Sequence, residues 1–557
     1  MTILLPAIYI IATDIKTCNQ KGENNADMNE FIIISANIFT GDPANPMAQA
    51  VYIKENRIKA VGTTLMVKTM APRDIKVLDL PGCLITPGLI EGHCHFTSMG
   101  VLLQNLNFRD IFSLSGCRQM IRQAVSTASP GEWIIGRGWN NTLWAENREP
   151  VKQDLDDIAP DNPVMLTRVC GHSVWVNSKA LEIARITAQT SDLPGGKIDK
   201  DPVTLEPTGI IRETLELISA HIPKKNKQQL HQAALAAQEE VLRLGITCVH
   251  SLENLDSFKV IRELDRTGKL NVRVYHSLHV EDIQTAEKEG FDINQNTDHL
   301  WFGHVKLYAD GSLGANTALL HEPYEDQPDN FGLAFLDHKA LTAGVEFAYE
   351  RGYGVMVHAI GDKAVTNALE SIALARKKYP CQPRDRIEHV QLFCPRDLHL
   401  FSDHHITASV QPVFLATDKF TAEKKWGIKR CKNSYAWRTL MNKNIPLQFG
   451  SDSPVEPVNP LLGIFTAVER TDYRDKIHGK WFAEQSLTLE EAIIGFTRQA
   501  AFTSGRENEL GVIAPGKLAD LTIFNQDLFH VPKDQWPEIE VEMTIINGEI
   551  VYKKSAL

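Results

Sequence analysis

The sequence predicts an α/β protein built on a (β/α)8 barrel, with a small composite β-sandwich formed by both chain ends and an insertion after the first barrel strand. Three observations carry this. Strand-like apolar runs alternate with helical patterns through the middle of the chain, the mark of a parallel sheet. Short β-type runs separated by turn residues stand near both ends. Histidines, a lysine and an aspartate fall at or near the carboxyl ends of the predicted strands, the face on which such barrels build their sites.

A chain of 557 residues suggests more than one domain, and 43% hydrophobic residues supply a large core. The formal net charge is −11 and the basic residues are spread, which argues against a nucleic-acid surface. Nine cysteines, an odd number without a CxxC pair, fit free thiols in a reducing compartment, so the expected location is cytoplasmic.

Thr2–Ala12 is apolar, but no basic residue precedes it and Lys16 is the first. It lacks the positive segment of a secretory signal and is too short to span a bilayer. Residues 1–28 are expected to be a loosely attached extension, a cryptic export signal being the minority alternative. No other apolar run suggests a membrane span.

From Glu30 the pattern turns to strands: Phe31–Thr40, Ala50–Gly62 with Glu55-Asn56 as its hairpin turn, and Lys76–Ile85. Gly511–Phe524 and Glu542–Lys554, with Asn547-Gly548 as the turn, repeat the style. Neither end has strands enough for a sizeable sheet alone. Residues 29–86 and 505–557 are therefore expected to form one sandwich; two separate hairpins are the alternative.

Residues 87–504 hold the barrel, interrupted by the insertion at about 97–230. Its first strand reads as Leu84–Ile90, breaking at Gly92 before His93-Cys94-His95. Side chains two apart on a strand share a face, so His93 and His95 project together, half of a zinc site. The helix Gln229–Leu244 stops at Gly245. Seven more strands follow at Ile246–His250, Val272–His279, Phe302–Tyr308, Gly354–His358, Arg386–His389, Ile406–Gln411 and Ile445–Gly450.

Lys306 lies inside a strand-like run, where a lysine is costly unless paired or modified. His358 and His389 end their strands, and Asp452 follows the last one. Taken singly, each histidine reads equally as a hydrogen-bonded core residue and Asp452 as a helix cap. Their coincidence at the ends of several barrel strands, with His93 and His95 on another, points to a metal centre.

The runs PGLIEGHCH, VKLYADGSLGANTALL, VHAIGD, IEHVQL, GSDSPV and PGKLADLTIF resemble the amidohydrolase superfamily. Within it the chain is similar to the amidohydrolase-3 group, the YtcJ-like metal-dependent hydrolases that include N-substituted formamide deformylase. The likeness runs from about Phe31 to Tyr552. It implies a barrel with a β-sandwich, one or two divalent metals, and hydrolysis of a non-peptide carbon–nitrogen bond in a small amide or formamide-like substrate. By position it makes His93, His95, Lys306, His358, His389 and Asp452 the metal residues. Lys306 matches a lysine that is carboxylated in many relatives. Glu91 stands where relatives usually carry Asp, at a position that is not a ligand. Cys94 is expected to face away from the metal.

Imidazole and carboxylate ligands suit Zn2+, which activates a bound water. Asp452 is expected to take the water's proton and hand it to the leaving amine. In the insertion, His172 and Asn177 are candidates for substrate contact, although Asn177 serves equally well as the cap of the helix near Lys179. Trp139 and Trp144 are candidates for lining the pocket, or are core. Glu213 is a weaker candidate beside the site. Asp310 is expected at the pocket rim. A deaminase or cyclic amidase on the same barrel, and a catalytically idle binding barrel, are the alternatives. Neither nucleic acid nor membrane is expected as a partner; an oligomer is compatible with the sequence.

Overall fold

The computed structural model describes residues 30–555 apart from 170, 194–195, 293–294, 380–383 and 475–478. The expected extension 1–28 lies outside the described residues. Eight parallel strands form the central sheet: β1 (Leu89–Cys94), β2 (Ile246–Leu252), β3 (Arg273–His279), β4 (Leu300–Tyr308), β5 (Gly354–Ala359), β6 (Arg386–His389), β7 (Thr407–Val410) and β8 (Leu447–Phe449). They neighbour one another in chain order, each pair parallel. A parallel bridge between Cys94 and Ser453 brings the two edges together, so the sheet is a nearly closed barrel.

The first strand begins later than the sequence suggested. Leu84–Pro87 and Leu89–Cys94 are two strands in two different sheets, and the chain passes between them at Gly88. A Cβ at Gly88 would stand 2.3 Å from Oγ1 of Thr247 on β2, so only glycine allows the crossing. Gly92, read as a break, lies within β1; a Cβ there would stand 2.4 Å from the Phe449 carbonyl oxygen. It marks the close approach of β1 and β8.

Both chain ends build one sheet. Its order is Glu549–Lys553, Val541–Ile546, Leu521–Phe524, Leu84–Pro87, Glu30–Phe39, Met47–Lys54 and Arg57–Gly62, with Lys76–Asp79 also paired to Glu30–Phe39. The two halves meet where Leu521–Phe524 runs antiparallel to Leu84–Pro87. Phe31, Ile33 and Val51 from one end share a buried cluster with Leu521, Ile523 and Ile545 from the other. The expected turns are present, Glu55 and Asn547 both taking positive φ. Buried Arg273 at the start of β3 locks this sheet to the barrel, with Nε 2.7 Å from Asp520 and a further hydrogen bond to Asn547.

The insertion folds a six-stranded sheet of its own. Its strands Leu106–Asn107, Ile134–Trp139 and Val164–Arg168 are parallel, and Ser173–Val176, Pro207–Arg212 and Lys197–Lys200 continue it antiparallel. The helix Lys227–Arg243 then returns the chain to β2, opened by a reciprocal Asn226–Gln229 capping box.

Candidate metal centre

The centre forms where β1 and β8 end. His93, still on β1, is 1% exposed. His95 has left the strand and opens the helix Phe96–Leu103. The turn after β8 is fastened to them by the backbone. Asp452 N–H donates to the His93 carbonyl and His95 N–H to that of Ser453, each at 2.7 Å. Asp452 takes φ +58°, which turns its carboxylate inward. Its Oδ1 then lies 3.3 Å from Nε2 of His93 and 3.3 Å from Nε2 of His95. The three residues offer ligand atoms all within 4.8 Å of one another.

Two more histidines continue the cluster. The ring centroid of His389 lies 5.4 Å from that of His93 and 4.6 Å from that of His358. His389 ends β6 at φ +76°. Lys306, on β4, is 2% exposed, and its Nζ sits 5.0 Å from the centre of the Tyr308 ring.

Burial governs the charges. It drives His389 down to about 4, and it holds His358 well below the usual range, helped by neighbouring His389 and Lys306. Both are thus neutral imidazoles, the form that binds metals. Burial lowers Lys306 to about 8 against the pull of Glu388 and Asp452. For Asp452, burial is outweighed by His93 and His95, and the carboxyl stays well below its ordinary range.

Whether the donors fit a metal can be judged from the other ring nitrogens. Nδ1 of His93 lies 2.6 Å from Glu388 Oε2. Nδ1 of His95 lies 3.0 Å from the Leu252 carbonyl oxygen, Nε2 of His358 2.9 Å from that of Gly311, and Nδ1 of His389 2.8 Å from Gln411 Oε1. The imidazoles of His95, His358 and His389 each spend one nitrogen on an oxygen acceptor, which fixes the tautomer and leaves the other nitrogen as a lone-pair donor, while His93 is held by its ion-pair contact with Glu388. A set of imidazole nitrogens and a carboxylate oxygen suits zinc and similar divalent ions.

Several of these supports were not assigned from sequence. Glu388 and Arg386 are both buried inside the barrel, with Arg386 Nε 2.9 Å from Glu388 Oε1. Arg386 also donates to the Gly92 carbonyl, next to His93. Their two-residue spacing in RIEH is the signal that both face inward. Glu91, expected to be a bystander, accepts hydrogen bonds from the backbone N–H groups of His93 and Ser451, and burial raises its carboxyl to about 8. Glu253 accepts from the N–H groups of Thr97 and Ser98 just beyond His95.

The expected substrate contacts fare differently. Trp139 is fully buried in the insertion core with Trp144 and Trp175, its Nε1 donating to the Leu166 carbonyl. Asn177 caps the helix Ser178–Ile183 and also bonds Val164 N–H and the carbonyls of Ala159 and Asn162, so its amide is consumed by the fold. Asp310 is fully buried rather than at a rim. Its oxygens accept from the N–H groups of Leu319, Ile360 and Gly361, and burial raises it to about 7. His172 is exposed and paired with Glu213 at 3.0 Å.

A nearly closed parallel barrel with four imidazoles and a carboxylate at its carboxyl end defines the class of metal-dependent barrel hydrolases. The comparisons agree. A metal-dependent hydrolase from Pyrococcus furiosus, uncharacterized by its title, superposes with a TM-score of 0.73 at 28% identity, covering 89% of this chain and 99% of its own. YtcJ of Bacillus subtilis (strain 168) is 32% identical over 93% of this chain and 98% of its own. N-substituted formamide deformylase of Arthrobacter pascens is 23% identical over 95% and 99%. The amidohydrolase family model matches residues 76–552, and the chain belongs to that family.

Proposed function

We propose that the protein hydrolyses a carbon–nitrogen bond, other than a peptide bond, in a small amide or formamide-like substrate. The observation that carries this reading is the convergence of His93 Nε2 and His95 Nε2 on one oxygen of Asp452, at 3.3 Å each. His93, His95, Lys306, His358, His389 and Asp452 would hold one or two divalent ions, zinc above all. Bound there, the ion would supply Lewis-acid polarisation of the substrate carbonyl and a water of lowered pKa.

The chain's own residues supply the rest. Asp452 is ionised and accepts the proton of the attacking water. It returns that proton to the nitrogen as the carbon–nitrogen bond breaks, so the products are an acid and a neutral amine. A lysine lowered to about 8 presents appreciable neutral amine at physiological pH, the form that combines with CO2. The resulting carbamate on Lys306 would be an anionic partner for a second ion.

The six described cysteines are free, which supports a reducing, cytoplasmic setting. Among the described residues no helix is long and apolar enough to cross a membrane.

The test is a panel of N-substituted formamides, N-acyl amines and cyclic amides, assayed with metal-loaded protein before and after chelation. Hydrolysis of an acyclic amide that disappears with the metal is expected. Turnover that survives complete metal removal overturns the reading.

A further inference from the structure

Away from the barrel centre, a second group of donors gathers. His321 lies in the loop after β4, and Cys394 and Asp397 lie in the turn after β6. A ring nitrogen of His321, the Cys394 sulfur and a carboxylate oxygen of Asp397 all stand within 4.8 Å of one another. Asp362, which opens the helix Asp362–Lys378 after β5, adds a carboxylate oxygen 3.7 Å from the Cys394 sulfur. We propose that these residues form a second metal site, separate from the barrel centre, which takes a divalent ion of the zinc type through Cys394, His321 and Asp397, with Asp362 as the fourth ligand.

The donor types match the ion. Thiolate, imidazole and carboxylate are the ligands from which zinc sites are built. A tetrahedral site with bonds of about 2.0–2.3 Å spaces its ligand atoms roughly 3.3–3.8 Å apart, so small side-chain rotations suffice to close the set. The surroundings are arranged for it. Thr366 Oγ1 donates to Asp397 Oδ2 at 2.5 Å and lies 3.0 Å from His321 Nε2, fixing both side chains against the same helix. Asp362 also receives the backbone N–H of His321 through its other oxygen.

The charges point the same way. Two carboxylates face the thiol, Asp362 Oδ2 at 3.7 Å from the sulfur and Asp397 within 4.8 Å of it. The cation on the spot is Arg396, whose guanidinium reaches His321 Nε2 at 3.3 Å from a side chain that is 69% exposed. The same guanidinium pairs with Asp397 Oδ1 at 3.5 Å, so an exposed arginine holds the place of a cation between two of the ligands. Because the four ligands come from the segments after three successive strands, the ion would cross-link three neighbouring loops on the catalytic face.

Sulfur provides the test, since the barrel centre offers only nitrogen and oxygen. The full chain is stripped by chelation and titrated with Co2+ while its near-ultraviolet absorption is followed. A thiolate-to-cobalt charge-transfer band is expected in the parent, lost in Cys394→Ser and weakened in His321→Ala. It should be intact in the double variant His93→Ala, His95→Ala. Metal analysis should find one ion fewer in Cys394→Ser than in the parent. X-ray absorption of the zinc form should show sulfur at about 2.3 Å. A parent that binds cobalt without the band, a band that survives Cys394→Ser, or no cobalt uptake at all overturns the proposal. None of these readouts depends on turnover, so they stand or fall apart from the proposed hydrolysis.

Discussion

His93 and Glu388 meet across the inside of the barrel, with Nδ1 of the imidazole 2.6 Å from Oε2 of the carboxylate. Arg386, two residues before Glu388 on the same strand, neutralises that carboxylate from its other oxygen. The pair lets a fully buried carboxylate stay ionised, well below its ordinary range despite burial, and so orient His93. Glu388→Gln keeps the shape and removes the charge. Metal affinity measured by chelator competition should fall about 10–100-fold, the usual effect of losing such a partner. Unchanged affinity would show that packing alone orients His93.

Asp452→Asn tests the proton transfer. Asn tolerates the positive φ of this position, so the turn and its backbone hydrogen bond to His93 should persist. The four imidazoles and Lys306 should retain most of the metal. The rate should nevertheless drop about 10²–10⁴-fold, since the amide cannot accept the proton. Metal content and kcat measured on one preparation decide; full metal with near-parental kcat removes Asp452 from the mechanism.

Lys306 should carry CO2. Protein prepared with 13C-labelled bicarbonate should show a carbamate carbon resonance that Lys306→Ala lacks, and the variant should bind one metal ion fewer. The same spectrum from both proteins would refute carboxylation of this lysine.

Gly92→Ala should be far more damaging than a methyl group suggests. The new Cβ would meet the Phe449 carbonyl oxygen at 2.4 Å, forcing β1 from β8 and His93 from Asp452. Metal retention should fall together with the thermal midpoint. A folded variant with parental metal content would mean that the barrel edge relaxes more than its packing implies.

Asn177→Ala and Trp139→Ala should destabilise the insertion without changing KM. The first removes a cap worth about 1 kcal/mol and strands buried backbone groups at about 1–3 kcal/mol. The second leaves a cavity costing roughly 3–5 kcal/mol. Denaturation followed by tryptophan fluorescence, beside steady-state kinetics, separates stability from binding. A raised KM with unchanged stability would restore these residues to the pocket.

Much of the barrel was legible because buried parallel strands are short apolar runs ending in polar residues. The fifth strand was expected at Gly354–His358 and spans Gly354–Ala359. The first was misplaced because Leu84–Ile90 is mostly apolar on both sides of Pro87-Gly88, and its division between two sheets there is set by packing against Thr247, distant in sequence. Asn177 and Trp139 were ambiguous because a buried amide or indole looks the same in sequence whether it serves fold or ligand. Glu388 and Arg386 were passed over since charged residues in a four-residue run read as solvated until the barrel closes around them. The insertion's sheet was hidden by its short strands, two of them broken by Gly136, Gly138 and Gly209.

The sheet shared by the chain ends has a consequence for how the protein is made. Leu89, at the threshold of the barrel, donates its backbone N–H to Thr522, 433 residues further along. At about 5–20 residues per second, a ribosome takes roughly 20–90 s to supply that partner. Throughout this interval Leu84–Pro87, and the apolar strands before it, stand without the strand that covers their edge. Such an edge is a template for pairing with other chains. Birth of this protein therefore leaves a long window in which a holding chaperone has something to protect, and a chain truncated before Leu521 never closes it.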